Sequence, residues 1–340
     1  MKNHVSVVTV TYGNRFHFLK HVVNSALREG ASKVIIVDNN SAPECREKLR
    51  DYEEKLGIDK IKVLYLDDNY GSAVGYKRGL EEAYNHFQCE FIWLLDDDNK
   101  PQKGSLRELK EFWNNLNDIN KEEKICLLSY RFKKEQLALK SIIYNKPELV
   151  LGLKNSFSGF HINELHKKIF RYLKRIFKLG NNISVRENNK SFGVVPVAPY
   201  GGMFFHKNLL DKIGYPREDF FLYGDDHEWS YRITKESGKI YLILDSLIDD
   251  IDLSWIVPKN NTQTAFSIIA NGEPFRVYYS IRNRVFFEVN NIVDKKLVYW
   301  INMIIFIILI SFSSTRNVKF ILRAVRDGLK GKLGKIDVLI

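Results

Sequence analysis

Phe91-Ile92-Trp93-Leu94-Leu95-Asp96-Asp97-Asp98 is the stretch whose reading decides the fold. Five apolar residues without alternation read as a short strand buried on both faces, which suits the middle of a parallel sheet. Three carboxylates follow at once. Like charges this close repel, and burying even one costs on the order of several kcal/mol unless a cation compensates. At the carboxyl end of a parallel strand, where open α/β sheets bind ligands, a divalent metal is the natural compensator. Oxygen-only ligands favour Mg2+ or Mn2+, completed by substrate phosphates. Alone, the run also reads as a solvated acidic loop, so its neighbours must decide.

Upstream, strands and helices alternate. Val5-Ser6-Val7-Val8-Thr9-Val10 is a β-branched strand that ends in the polar loop Thr11-Tyr12-Gly13-Asn14-Arg15, ahead of a helical pattern (Phe18, Leu19, Val22, Val23, Ala26, Leu27). Val34 to Val37 is the next strand, stopped by Asp38-Asn39-Asn40-Ser41, and a charged helix follows over Glu44 to Leu56. The strand Lys62 to Leu66 leads to Asn69-Tyr70-Gly71-Ser72-Ala73-Val74-Gly75-Tyr76-Lys77-Arg78-Gly79, which opens a helix running to about His86. Short connections between alternating elements predict a parallel sheet with crossover helices. Every strand ends in a polar tip (Thr11, Asn14 and Arg15; Asp38 and Asn39; Asn69; Asp96 and Asp98), and these tips should face one crevice. Each tip singly is plain turn chemistry, but recurrence on four strands points to a site able to contact a base, a ribose and phosphates. Gly71 and Gly75 would let the backbone approach a ligand at a helix start. Their spacing is not the dinucleotide fingerprint, so a dehydrogenase is unsupported.

Downstream the pattern loosens after Leu128 and resumes at Val194 to Phe205, where Gly201-Gly202 permits a tight turn or a close ligand approach. A short helix follows over Asn208 to Ile213. A second acidic group, Gly224-Asp225-Asp226-His227-Glu228, sits between an aromatic run and a helix over Glu228 to Glu236. It reads either as a base at a helix N-terminus or as an ordinary cap. Tyr241 to Leu244 is the last clear strand, and Asp249, Asp250 and Asp252 behind it either reach the metal or form an exposed turn. Arg276, Arg282 and Arg284 share one helix with Tyr278 and Tyr279, a candidate clamp for diphosphate.

The net charge of +11 is uneven. Arg131 to Lys190 has 14 Lys/Arg against 4 Asp/Glu, and Ser313 to Ile340 has 7 against 2, so the remaining chain is slightly acidic. Basic segments on a near-neutral body predict an anionic surface as partner. Within Ile162 to Leu179 an apolar face (Ile162, Leu165, Ile169, Phe170, Leu173, Ile176, Phe177) opposes a basic one, the form of a helix on a membrane or of one covering the protein's own core. Leu297 to Phe312 carries no charge but is shorter than the ~20 residues that span a bilayer. With the basic amphipathic pattern after it, this tail reads as a monotopic membrane anchor, the alternative being a buried helix. The basic residues lie on helices rather than on a sheet with exposed aromatics, so no nucleic-acid partner is expected. Three widely spaced cysteines (Cys45, Cys89, Cys126) suggest neither a disulfide framework nor a zinc site, and no long apolar core follows Met1. Both observations predict a cytoplasmic protein, peripheral on the inner face of the plasma membrane.

In order, Val8 to Arg15, Val37 to Ser41, Asn69 to Gly79, Leu94 to Asp98 and Gly224 to Asp226 resemble the motifs of family 2 glycosyltransferases, inverting enzymes with the GT-A fold. Arg276 to Arg284 further resembles the bacterial rhamnosyl- and galactofuranosyltransferase branch. The resemblance covers about residues 5–130 and 194–290. It implies an α/β GT-A domain over 1–290 (Rossmann-like, a mostly parallel central sheet with flanking helices), interrupted by a basic helical insertion at about 135–192. A C-terminal membrane-associating helical segment would occupy 291–340. By the same resemblance Asp96 and Asp98 bind Mn2+ or Mg2+ and Asp226 is the catalytic base. Thr11, Tyr12, Arg15, Asp38, Asn39, Asn69, Gly75, Arg78, Asp97, Gly201 and Gly202 line the nucleotide. Where the family often has a further histidine ligand this chain reads Leu247-Ile248-Asp249-Asp250-Ile251, so Asp250 or Asp249 replaces it, or water does. The activity implied is sugar transfer from a nucleotide-sugar donor, UDP-galactofuranose ahead of dTDP-rhamnose, to a hydroxyl of a glycan or glycolipid acceptor in a bacterial surface polysaccharide. The alternatives are a catalytically impaired sugar-nucleotide binder and a nucleotidyltransferase of similar fold, although Thr11 to Arg15 matches a triphosphate loop poorly.

Overall fold

A computed structural model describes residues 4–86, 88–164, 190–252, 269, 272–313 and 315–336. The first half alternates as expected: β1 (Val5–Thr11), α1 (Phe16–Arg28), β2 (Lys33–Asp38), α2 (Pro43–Leu56), β3 (Ile61–Tyr65), α3 (Gly71–Asn85) and β4 (Phe91–Leu94). These four strands pair in parallel in the order β3-β2-β1-β4. Their β-branched and aromatic residues are buried on both faces, with Ile92, Trp93 and Leu94 fully so. The register places Thr11 beside Asp38, whereas β4 ends with Leu94 beside Val8. The acidic run therefore leaves the sheet beneath the longer tips of its neighbours.

The second half departs from a purely parallel pattern. β5 (Asn99–Pro101), α4 (Ser105–Asn115), α5 (Lys121–Lys124) and β6 (Ile125–Tyr130) are followed by α6 (Gln136–Tyr144) and α7 (Glu148–Leu151). Then come β7 (Phe192–Val195), β8 (Met203–His206), α8 (Leu209–Ile213), α9 (Asp225–Lys235) and β9 (Lys239–Asp250). The sheet order is β3-β2-β1-β4-β8-β6-β9-β5, with β7 on β9; β8 is antiparallel to β4 and β6, and β5 and β7 are antiparallel to β9. The single apolar run at 194–205 is thus two strands, divided by the turn at Gly201 and Gly202, which reverses the chain into the gap between β4 and β6. Tyr241–Leu244 is only the middle of β9. The pairing with β6 jumps from Ile243 to Leu247, and the displaced end of β9 pairs with β5, Asp250 opposite Asn99. This irregularity carries Asp249 and Asp250 from the expected turn into a strand beside the acidic run.

Two apolar layers cover the two faces of the sheet. A third core joins α10 (Pro274–Asn291), α11 (Lys296–Ser313) and α12 (Thr315–Leu329) with Phe157, Phe160 and Phe221. Gly328 lets α10 and α12 cross closely, since a Cβ there would lie 2.5 Å from the Arg282 carbonyl oxygen. The helix expected over Ile162–Leu179 lies outside the described residues apart from Ile162–Glu164, a single 3-10 turn. Among the described residues no helix is long and apolar enough to cross a membrane.

Candidate active site

The strand tips converge on a cavity of about 610 Å3. Tyr12, Arg15, Asn39 and Asn69 line it together with Asp96, Asp97, Asp98 and Asp226. Most of the candidate residues, drawn from positions more than two hundred apart, therefore share one space.

Local hydrogen bonds explain why each stands where it does. Thr11 donates its hydroxyl to Asp97 (2.9 Å), and the Arg15 Nε lies 2.9 Å from the same carboxylate. Arg15 continues to Asp252 (2.6 Å), tying the β1 tip to the chain after β9. Asp97 is thereby committed to its neighbours, leaving Asp96 and Asp98 as the carboxylates with capacity for a ligand. The Asn39 amide donates to the Asn69 oxygen (3.1 Å) and the Gly71 carbonyl (3.0 Å) and accepts from the Tyr70 N–H (2.9 Å), fixing the loop at the mouth of α3.

Other candidates are engaged within the protein. Asp38 is fully buried, accepting from the Ser41 N–H (3.0 Å) and pairing with Arg46, so it shapes the entry to α2. Gly75 packs on β1, where a Cβ would meet Val10, and Arg78 is surface-exposed and pairs with Glu81. A periodic loop pattern does not distinguish a glycine facing a ligand from one facing a strand. Of the three candidate clamp arginines only Arg276 reaches the cavity. Arg282 is buried and donates to the Phe220 carbonyl (3.1 Å), and Arg284 pairs with Glu288 (2.6 Å).

The acidic floor holds an excess of negative charge. Burial and then the charge of Asp96 push the Asp98 carboxyl up to about 7. Asp96 is half-exposed to the cavity and accepts from the Tyr76 hydroxyl (2.7 Å). Gly201 is the residue that leaves room here: a Cβ would lie 1.9 Å from Asn99 Oδ1 and 2.7 Å from Asp96 Oδ2. Gly202 forms the adjoining turn at a φ of +105°. Two carboxylates facing a cavity, one already short of positive charge, fit Mg2+ or Mn2+ completed by water and donor phosphates. Asp250 lies beside Asp98, the two sharing the Asn99 amide as donor. It accepts from the Asn99 amide (3.0 Å) and pairs with Lys134 (2.8 Å). Among the described residues no three His, Cys, Asp or Glu side chains gather as a metal site.

Lys134 and Arg131 were not legible as site residues. Lys134 Nζ lies 3.8 Å from Asp98, and Arg131 Nη1 lies 3.3 Å from Asp96 and 3.8 Å from Asp250, its Nε held by Glu135 at 2.8 Å. They follow β6 in the loosely patterned stretch, and only their proximity to a basic run hinted at them.

Also on the cavity, Asp225 and Asp226 open α9, where the helix dipole favours negative charge. Burial nevertheless raises both carboxyls above the ordinary range, and for Asp225 the adjacent Asp226 adds to it. Asp225 accepts from the Ser72 hydroxyl (2.8 Å), leaving Asp226 as the carboxylate on the cavity without a side-chain donor among the described contacts. Burial lowers His227 to about 4, so it stays neutral. The loop leading here is strained: Phe221, Tyr223 and Gly224 have φ of 65°, 65° and 77°. The Asn283 amide holds it, donating toward the carbonyls of Phe220 (2.9 Å), Leu222 (2.9 Å) and Tyr223 (2.8 Å).

Comparison with known proteins adds to this geometry. Residues 6–121 match the family described as Glycosyl transferase family 2. The putative teichuronic acid biosynthesis glycosyltransferase TuaG of Bacillus subtilis (strain 168) is 36% identical over 111 residues, 32% of this chain and 41% of that protein. The chain thus spans about two fifths of the length of that curated relative. A crystal structure of GalNAc-T7 with UDP, GalNAc and Mn2+ resembles 95% of this chain and 57% of that one, with a TM-score of 0.51 at 14% identity. At that identity the likeness carries the fold alone, a GT-A-like mixed α/β architecture.

Proposed function

We propose that this protein, whose residues 6–121 match the Glycosyl transferase family 2 model, transfers a sugar with inversion from a nucleoside-diphosphate donor to a hydroxyl of a cell-surface polysaccharide precursor. The observation that carries this reading is that Asp226 lines the same cavity as Asp96 and Asp98. In the proposed reaction Asp226 takes the proton from the acceptor hydroxyl as that oxygen bonds to the anomeric carbon. The nucleoside diphosphate leaves from the opposite face, with oxocarbenium character developing between the two. Asp96 and Asp98 would hold Mn2+ or Mg2+, which supplies Lewis-acid stabilisation of the leaving diphosphate. Tyr12, Asn39 and Asn69 surround the nucleoside, while Arg15 and Thr11 hold Asp97 out of the ligand set. Arg276, at the cavity rim, is the group on α10 placed for the diphosphate.

For the donor we favour UDP-galactofuranose, then dTDP-rhamnose, on the resemblance of Arg276–Arg284 to that branch. Tyr278 and Tyr279 are buried, so the preference rests on the resemblance and not on a sugar contact. A thermal-shift panel of nucleotide sugars with and without Mn2+ tests it. The acceptor is placed on a lipid carrier, with the protein peripheral on the inner face of the plasma membrane.

Asp226→Asn keeps the shape of the wall and removes the base. UDP binding by calorimetry should be unchanged while transfer falls by about 10²–10⁴-fold. Normal turnover by that variant would sink the assignment.

A further inference from the structure

Helix α11 carries its polarity inside out. Asn302 is fully buried, its amide donating to the Asn155 carbonyl (2.9 Å) and its oxygen accepting from the Ile162 N–H (2.9 Å). The Tyr299 hydroxyl reaches inward to Glu288 (3.1 Å). The outward side is apolar: Leu297, Trp300, Ile301, Ile304, Ile308 and Phe312 are all exposed, Leu297 by 74% and Phe312 by 84%. Steps of three and four residues line most of them along one stripe of a helix about 27 Å long. Ser311 satisfies its hydroxyl on the Ile308 carbonyl of its own helix (2.7 Å). A surface helix in water normally turns polar groups outward, and a contiguous exposed apolar stripe marks an interaction surface.

Basic groups are exposed on the same helical unit. Lys295 and Lys296 are exposed where α11 begins, and α12, packed against it, exposes Lys319, Arg326 and Lys330. We propose that this face docks on an anionic lipid membrane, α11 lying in the plane of the interface with its stripe at the acyl boundary and the lysines and arginine on the headgroups. A second copy of the chain is disfavoured, because a two-fold contact through the same stripe brings the two basic sets together. The inference deepens the peripheral placement proposed above and rests on it, by naming the surface responsible. Each basic residue near an anionic surface contributes about five-fold in affinity.

Flotation of the full chain with phosphatidylcholine vesicles, with or without phosphatidylglycerol, tests the proposal. The wild type should float with the anionic vesicles and bind the neutral ones about ten-fold or more weakly. Ile304→Glu/Ile308→Glu should remain at the bottom yet elute as a folded monomer with UDP affinity unchanged. Lys319→Glu/Arg326→Glu should lose about ten-fold or more on the anionic vesicles alone. Failure of the wild type to float, flotation of the Ile304/Ile308 variant, or a wild-type dimer that this variant dissolves would each overturn the proposal. UDP titration separates the two readings: vesicle binding without nucleotide binding sinks the transferase and leaves the docking surface standing, and the reverse result does the opposite.

Discussion

Lys134 occupies the acidic floor as a cation that a metal must contend with, and Lys134→Met isolates its role. Its ammonium is 2.8 Å from Asp250 and 3.8 Å from Asp98. At an effective dielectric of about 20 these are gross attractions of about 6 and about 4 kcal/mol. Desolvation, the one-third exposure of the lysine and the continued presence of Arg131 and Arg15 reduce the net loss to about 2 kcal/mol. For a chain of this size that is roughly 3 °C in Tm. Methionine keeps the apolar stem, so the loss is one of charge. A divalent ion at Asp98 is repelled by the same ammonium that stabilises Asp98 in its absence. Relief of even a quarter of the gross 4 kcal/mol tightens Mn2+ by about five-fold. The assay pairs thermal melts in EDTA and in excess MnCl2 with calorimetric titration of Mn2+ without nucleotide. The variant should melt lower than wild type in EDTA and gain more from Mn2+. Equal or weaker Mn2+ binding by the variant would refute the reasoning and remove Asp98 from the proposed ligand set.

Gly201→Ala forces a methyl group into Asn99 and Asp96; repacking costs about 1–3 kcal/mol, and calorimetry should show metal-dependent UDP binding reduced while the fold survives by circular dichroism. Asn283→Ala frees three carbonyls of the strained 220–223 loop, so transfer should fall about ten-fold or more at near-constant UDP affinity. A proportional loss of both would reduce Asn283 to a general structural role. The raised carboxyls of Asp225 and Asp226 give a pH prediction with a definite sign. The base must be ionised, so transfer should decline on the acid side well above the ordinary carboxylate range. The native state holds these protons more tightly than the unfolded chain, so the pair's contribution to stability is present below about pH 4 and is lost as pH rises through the native pKa. Rate profiles and urea melts across pH check the two halves separately.

The first half of the fold was legible because each strand there is a continuous β-branched run between polar tips, and parallel pairing follows from the crossover helices. The second half was less so. β5 is three residues with no apolar signature, and β9 continues to Asp249 and Asp250, whose reading as metal-reaching residues or a turn stays open until their pairing with β5 is known. The site shows the same division. Carboxylates adjacent in sequence announced themselves, and so did Asn39 and Asn69 as strand tips. Lys134 and Arg131 become neighbours of Asp98 and Asp96 only through the β6–β9 pairing and its irregularity, a tertiary fact with no local trace. Arg282 and Arg284 misled for the converse reason, since helical spacing does not say which faces meet a core, and α10 is embraced by α12.

That embrace bears on how the reaction and the proposed membrane face belong to one machine. α10 presents Arg276 at the cavity rim, Asn283 and Arg282 beneath the strained loop, and Glu288 toward α11. Glu288 accepts from Arg284 (2.6 Å), the Ser158 N–H (3.1 Å) and the Tyr299 hydroxyl (3.1 Å), so the helix that would lie on lipid is bonded directly to the helix that braces the loop before Asp226. After α12 the chain returns to the donor side: the Ile336 N–H donates to the Tyr279 hydroxyl (2.8 Å) and Lys335 pairs with Asp68 (2.7 Å), next to Asn69. An acceptor carried on a lipid would have to meet Asp226 at a fixed height above the membrane. A chain of buried, hydrogen-bonded contacts from α11 through Glu288 and Asn283 to residues 220–224 fixes such a height without requiring the sheet to move. The strain in that loop is held by α10, the helix bonded to the proposed docking helix α11, so under this proposal α10 to α12 serve the active site as well as the membrane contact.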